Sequence, residues 1–173
     1  MNNFKINNQN DTKKENTIGN AYCPYILPSV HLKPLNEIER SIQKKYRSEL
    51  WSPFIKALKE FEMVKDGDKI AVAISGGKDS LLLSKLFQEL KRASKTNFEI
   101  VFISMNPGFN SINLKNLQNN LEYLGINCEI YDDNIFEIAE QISKDYPCYM
   151  CAKMRRGSLY SKATSLKCNK LAL

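Results

Sequence analysis

Two short stretches of this 173-residue chain hold residues whose types and spacing suit chemistry: Ser75-Gly76-Gly77-Lys78-Asp79-Ser80 and Cys148-Tyr149-Met150-Cys151. In the first, adjacent glycines let the backbone turn tightly and bring N–H groups against an anion, while the hydroxyls of Ser75 and Ser80 add donors. A short apolar run, Lys69 to Ile74, precedes the stretch and a helical pattern follows it. The loop therefore falls at the carboxyl end of a strand, where open α/β sheets bind ligands, with a positive helix N-terminus behind it. The expected anion is a pyrophosphate. A Walker loop would need Gly at position 72 and Ser or Thr at 79, where this chain has Val72 and Asp79; a G-x-G-x-x-G fingerprint fails because no glycine follows Gly77 until Gly108. The plainer alternative is a glycine turn followed by a helix cap.

The second stretch is more ambiguous. Cys148 and Cys151 could be half a zinc site, a redox pair, or two ligands of an iron–sulfur cluster; Pro147 before them and a helix after them would also suit a thioredoxin-like pair. The five cysteines, at positions 23, 128, 148, 151 and 168, are odd in number, and no export signal precedes them, which argues against a disulfide framework. Cys23, Cys128 and Cys168 read as small apolar residues, and His31, the one histidine, as a packing residue. Arg155 and Arg156 follow Cys151 by about one helical turn, so at least one of them shares its face, and guanidinium forks suit ATP or RNA phosphates. The competing reading of Arg156 is a solvated helix face.

These residues need elements to position them. Residues 1–20 are polar and lack an apolar period, so they read as a disordered tail. Residues 21–64 read as an arm with three prolines followed by two helices, Leu35 to Leu50 and Phe54 to Met63, the second capped by Ser52 with Pro53 in its first turn. Residues 65–173 then alternate. Strands are expected at Lys69 to Ile74, Phe98 to Ile103, Asn127 to Tyr131 and from Lys170. Helices are expected at Asp79 to Ala93, Asn113 to Leu124, from about Ile135, and from Ala152 to about Leu166. Alternation of this length predicts an α/β fold, a doubly wound parallel sheet with helices on both faces, preceded by an N-terminal helical extension. The chain stops inside an apolar strand, so a C-terminal truncation is expected.

Composition limits the functional classes. A hydrophobic fraction of 43% and a charged fraction of 25% suit a globular domain, and no stretch is apolar enough for a membrane span. The polar N-terminus does not look like a secretory signal, so a cytoplasmic protein is expected. A net charge of +6 favours a polyanionic partner, although the richness in Asn, Lys and Ile is also what an AT-rich genome would impose.

The Ser75–Ser80 stretch matches the S-G-G-x-D-S pattern of the PP-loop ATP pyrophosphatases at every fixed position. Together with Cys148-x-x-Cys151-x-x-x-Arg155-Arg156-Gly157-x-Leu159-Tyr160, it resembles the N-terminal part of the tRNA 2-thiocytidine biosynthesis family from about Leu50 to Leu173. The resemblance implies an adenine nucleotide alpha hydrolase-like fold. It also implies an ATP- and Mg²⁺-dependent enzyme that adenylates a tRNA cytosine, the anticodon-loop cytidine 32, and replaces its 2-oxo group with sulfur. On that resemblance Ser75, Gly76, Gly77, Lys78, Asp79 and Ser80 bind ATP, Asp79 helps position Mg²⁺, and the backbone around Ala73 and Met105 receives the adenine, with Arg156 on phosphate. Cys148 and Cys151 would bind a [4Fe-4S] cluster whose third cysteine, in the C-terminal half of the family, has no match here. Implied partners are tRNA and a sulfur donor such as a cysteine desulfurase, with a homodimer as a candidate assembly. A tRNA 2-thiouridine thiolase shares both motifs; a tRNA isoleucine lysidine synthetase lacks the cysteine segment, and a nonenzymatic nucleotide- or RNA-binding remnant is the alternative of another class.

Overall fold

The computed structural model describes residues 32–142 and 147–173, and of Cys148 only the backbone. The expected tail at 1–20 and most of the arm, with Cys23 and His31, lie outside the described residues. Four strands form one parallel sheet: β1 (Lys69–Ala73), β2 (Glu99–Asn106), β3 (Cys128–Asp132) and β4 (Lys170–Ala172), in the order β3-β2-β1-β4. Every strand arrives after a helix, as parallel pairing requires. Strand order reverses between β1 and β4, and at such a switch point the crossovers diverge and leave a crevice at the carboxyl edge.

Six helices surround the sheet: α1 (Leu35–Gln43), α2 (Ser52–Glu60), α3 (Lys78–Ala93), α4 (Ser111–Tyr123), α5 (Ile135–Ile142) and α6 (Pro147–Ser165). Side-chain alternation along the strands assigns them to faces. Ile70, Val72 and Ile74 of the β1 segment, with Phe102 of β2, join Ile42, Trp51, Leu58, Leu86, Phe87, Leu90, Leu117 and Leu121, so one face is covered by α1 to α4. Ala71, Ala73 and Ile103 pack on Ala163 and Leu159, and Met105 packs on Ile135, Phe136, Ala139 and Cys151, so α5 and α6 cover the other. Complete burial of Val72 and Ile103 contributes about 1.5–3 kcal/mol each.

Three expectations about local structure change. The helix read as Leu35 to Leu50 ends at Gln43, and a π-helical turn, Arg47–Trp51, leads directly into α2. Trp51, already helical in its backbone, occupies the cap position, and Ser52 makes no capping hydrogen bond. The reason is burial of Trp51, whose indole packs near Phe54 and carries the helical path across the expected break. The basic helix begins at Pro147 rather than Ala152, so Cys148 and Cys151 lie within its first turns. Strand β2 runs to Asn106, three residues beyond the expected end, because Ser104 to Asn106 pair with β3.

The N-terminal helices are built into the main core rather than appended to it. Glu39 of α1 receives Lys85 Nζ at 2.6 Å and Arg92 of α3 at 2.9 Å, and Arg92 also reaches Glu89 at 2.6 Å. Lys85 is 2% exposed and also donates to Gln88 and the Leu124 carbonyl, which satisfies its buried ammonium. The Arg92 hydrogen bond above all holds the Glu39 carboxyl down to about 2.

Candidate functional site

The Ser75–Ser80 loop leaves β1 at the switch point, and α3 begins within it at Lys78. Gly76 has φ +85°, which glycine adopts freely and an L side chain does not. A Cβ there would also meet Leu117 Cδ1 at 3.3 Å. Ser80 organises the turn: its Oγ accepts from Ser75 N at 3.2 Å and donates to Gly77 O at 2.9 Å, while Ser75 Oγ lies 3.2 Å away and accepts from Gly77 N at 3.4 Å. The result is a tight, internally hydrogen-bonded turn at the positive end of a sixteen-residue helix.

Lys78 and Asp79 stand outside this turn, both almost fully exposed, with Lys78 Nζ 2.8 Å from Asp79 Oδ1. That hydrogen bond raises the Lys78 pKa. The Asp79 carboxylate is a hard oxygen donor beside an anion cradle, a set that suits Mg²⁺ carried in with a nucleotide, and Lys78 suits phosphate charge. Donor type and accessibility fit both groups.

Ala73 and Met105 end neighbouring strands at the same carboxyl edge, since Ala73 pairs with Ile103 and Met105 lies two residues on. Both side chains are buried on the α5–α6 face. Cys151 is 6% exposed and packs in the same apolar cluster as Met105. The structure thus brings the cysteine helix to the strand end beside the glycine loop. Cys148 and Cys151 stand at i and i+3 in the first turns of α6. Among the described residues no cluster of three or more His, Cys, Asp or Glu is gathered to hold a metal, so the cysteine segment offers a partial ligand set. Cys128 and Cys168 have thiol pKa values raised chiefly by burial, Cys128 to about 12, which disfavours the thiolate that metals require.

The arginine pair divides. Arg155, four residues after Cys151, is partly buried, whereas Arg156 stands exposed on α6.

Several positioning residues escaped the sequence reading. Ser104 Oγ, fully buried, donates to the Ile74 carbonyl at 2.7 Å, directly before the glycine loop. Asn106 Oδ1 accepts from Gly108 N at 3.2 Å and Phe109 N at 2.8 Å, and its amide donates to Asp132 at 2.7 Å, which shapes the loop after β2. Ser158 Oγ donates to Asp133 at 2.6 Å and lies 3.3 Å from the Tyr131 hydroxyl, fastening α6 to the end of β3. The signal available for Ser158 was its i+7 spacing from Cys151, which sets both on one helix face. Asp133, which reads in sequence as a turn residue, is the acceptor.

No protein-family model matches the chain. It is similar to tRNA-cytidine(32) 2-sulfurtransferases of Pelobacter propionicus, 38% identical over 120 residues (68% of this chain, 45% of the relative), and Syntrophotalea carbinolica, 39% identical over 120 residues (68% and 46%). The same enzyme of Alcanivorax borkumensis is 34% identical over 137 residues, covering 76% of this chain and 46% of the relative. Among solved structures, the U34-tRNA thiolase NcsA from Methanococcus maripaludis with its [4Fe-4S] cluster gives a TM-score of 0.47 at 26% identity, covering 64% of this chain and 38% of that one. NAD⁺ synthetase from Burkholderia pseudomallei gives 0.43 at 16% identity, covering 78% and 59%. The chain spans about half the length of the curated relatives it matches. Over that shared stretch, 68% of its own length, it is similar to the tRNA-cytidine(32) 2-sulfurtransferases, the family its two motifs resemble.

Proposed function

We propose that this protein is the nucleotide-binding and thiol-bearing part of an ATP-dependent enzyme that thiolates tRNA, acting on the 2-oxo group of cytidine 32. The observation that carries the reading is the glycine loop held at the β1–β4 switch point by Ser80, next to a helix whose Cys151 packs on the end of β2. The relatives supply the reaction type.

In this reading the cytosine 2-oxygen attacks the α-phosphorus of ATP, the bond to the bridging oxygen breaks, and pyrophosphate leaves with its charge on that oxygen. Loop N–H groups and the Ser75 and Ser80 hydroxyls receive the leaving diphosphate, where preorganised donors act on charge as it develops. Lys78 would neutralise further charge, and Asp79 would help hold Mg²⁺. The backbone ends at Ala73 and Met105 form the platform proposed for adenine, and Arg156 is the proposed phosphate contact from α6. A [4Fe-4S] cluster, held by Cys148 and Cys151 with a further ligand, would supply the sulfur-carrying chemistry. Burial of Cys151 beside Met105 excludes water from the side of the thiol pair nearest the strand ends. The same proposal assigns residues 65–173 to the PP-loop domain and 21–64 to an arm and helices. It also includes a cysteine desulfurase as sulfur donor, a homodimer and a cytoplasmic location. Among the described residues no helix is long and apolar enough to cross a membrane.

Nucleoside mass spectrometry of tRNA from cells lacking the gene tests the reading. Loss of 2-thiocytidine, restored by the gene but not by its Asp79→Ala form, is expected. Unchanged 2-thiocytidine overturns it, and loss of 2-thiouridine instead would move the substrate to uridine.

A further inference from the structure

The solvent side of α6 carries a regular row of residues, of which only Arg156 has a role in the nucleotide reading above. Tyr149, Lys153, Arg156 and Tyr160 follow one another at i, i+4, i+7 and i+11. At about 100° per residue they fall within one sector roughly 60° wide. All four are exposed, Tyr149 by 69% and Tyr160 by 56%, while Cys151 and Ser158 turn the opposite side of the helix inward. Between Pro147 and Ser165 there are basic residues and no acidic ones. Lys162 is engaged, paired with Glu129 and lying over the Tyr131 ring. Among the described residues, Lys153 and Arg156 have no ion pair and the two tyrosine hydroxyls no hydrogen bond.

We propose that this row is a docking surface for single-stranded RNA. The inference rests on the tRNA reading above and adds where the strand lies. The alternation decides the partner's chemistry. Cations alone would suit any polyanion, but an exposed ring at each end of the pair asks for a partner with free flat faces between its charges. Unpaired nucleotides have them, whereas a duplex hides its bases in the stack. The two tyrosines stand roughly 16 Å apart along the axis, with both cations between them. Two bases can stack on Tyr149 and Tyr160 while intervening phosphates meet Lys153 and Arg156. The row ends beside Cys148, so a strand lying along it is delivered to the thiol end of the helix.

The test is titration of the full chain with a fluorescent unstructured oligoribonucleotide, and separately with the same strand annealed to its complement, across a salt series. Tyr160→Ala is expected to weaken single-strand binding about 5- to 100-fold without changing the salt slope, and Tyr160→Trp to retain it. Lys153→Ala and Arg156→Ala should each reduce the log–log salt slope by about 0.7. Calorimetric ATP affinity is measured in parallel: its absence in the wild type would overturn the nucleotide reading while leaving the RNA result interpretable. The docking surface is overturned if wild type binds no single strand, if Tyr160→Ala binds it normally, or if duplex binds as tightly with the same dependence on Tyr160. It is equally overturned if Tyr160→Ala changes the sedimentation mass but not RNA affinity, which would mark a surface for a second copy of the chain.

Discussion

The buried hydroxyl of Ser104 donates to the carbonyl oxygen of Ile74 at 2.7 Å, so a side chain of β2 fixes the last peptide before the glycine loop leaves β1. Ladder pairing cannot serve this carbonyl in the same way, because the β1–β2 register ends at Ala73 and Ile103. Ser104→Ala should lower stability by about 1–2 kcal/mol, since it leaves a buried acceptor unpaired. It should also weaken ATP binding, while Ser104→Thr, which keeps a hydroxyl, restores more of the affinity than Ala does. Paired denaturation and calorimetry check this, and equal ATP affinity in wild type and Ser104→Ala would contradict it.

Glycine substitutions should separate by backbone conformation. Gly76→Ala places a side chain at φ +85° against Leu117 and should cost about 1–3 kcal/mol, with a loss of nucleotide affinity. Gly157→Ala, in the interior of α6 with open space around it, should stabilise by about 0.4–1 kcal/mol. Urea denaturation of the two variants decides the matter.

Acid sensitivity should arise from two carboxylates far from the loop. Glu39 is held down to about 2, first by Arg92, and Asp68 to about 2, first by the Lys170 hydrogen bond that ties β4 to the start of β1. Both folded-state values lie below the ordinary 4.5 and 3.8, so each contribution is complete above the ordinary value and is lost as pH falls towards 2. With solvent screening, each is worth on the order of 1 kcal/mol. Stability measured from pH 6 to pH 2.5 should therefore fall, and Asp68→Asn should flatten the fall. At neutral pH Glu39→Gln should cost about 3 kcal/mol, because Lys85 stays buried without its counter-charge.

The thiol pair and the glycine loop sit on separate elements and should be separable in experiment. Cys148→Ala and Cys151→Ala should each abolish anaerobically reconstituted iron and acid-labile sulfide while changing ATP affinity less than about 3-fold. Cys151→Ser should cost about 1–2 kcal/mol of stability, because it places a hydroxyl in the apolar cluster around Met105. Iron analysis, calorimetry and melting curves give the three readouts.

Much of the molecule was legible in the amino-acid order alone. The tight turn at Ser75–Ser80 could be read because glycine freedom and short hydroxyl side chains are written locally. The alternation of strands and helices was legible through apolar period, and with it the doubly wound sheet. Local order misjudged the stretch from Gln43 to Ser52, where burial of Trp51 outweighed a capping pattern. Only the tertiary structure decided that α1 docks on α3 through Glu39 and Lys85, that Ser104 secures Ile74, and that Cys151 packs on Met105. These partners lie tens of residues apart. Their contacts come from strand register and helix docking, which depend on how the whole core closes and leave no periodic trace in the chain.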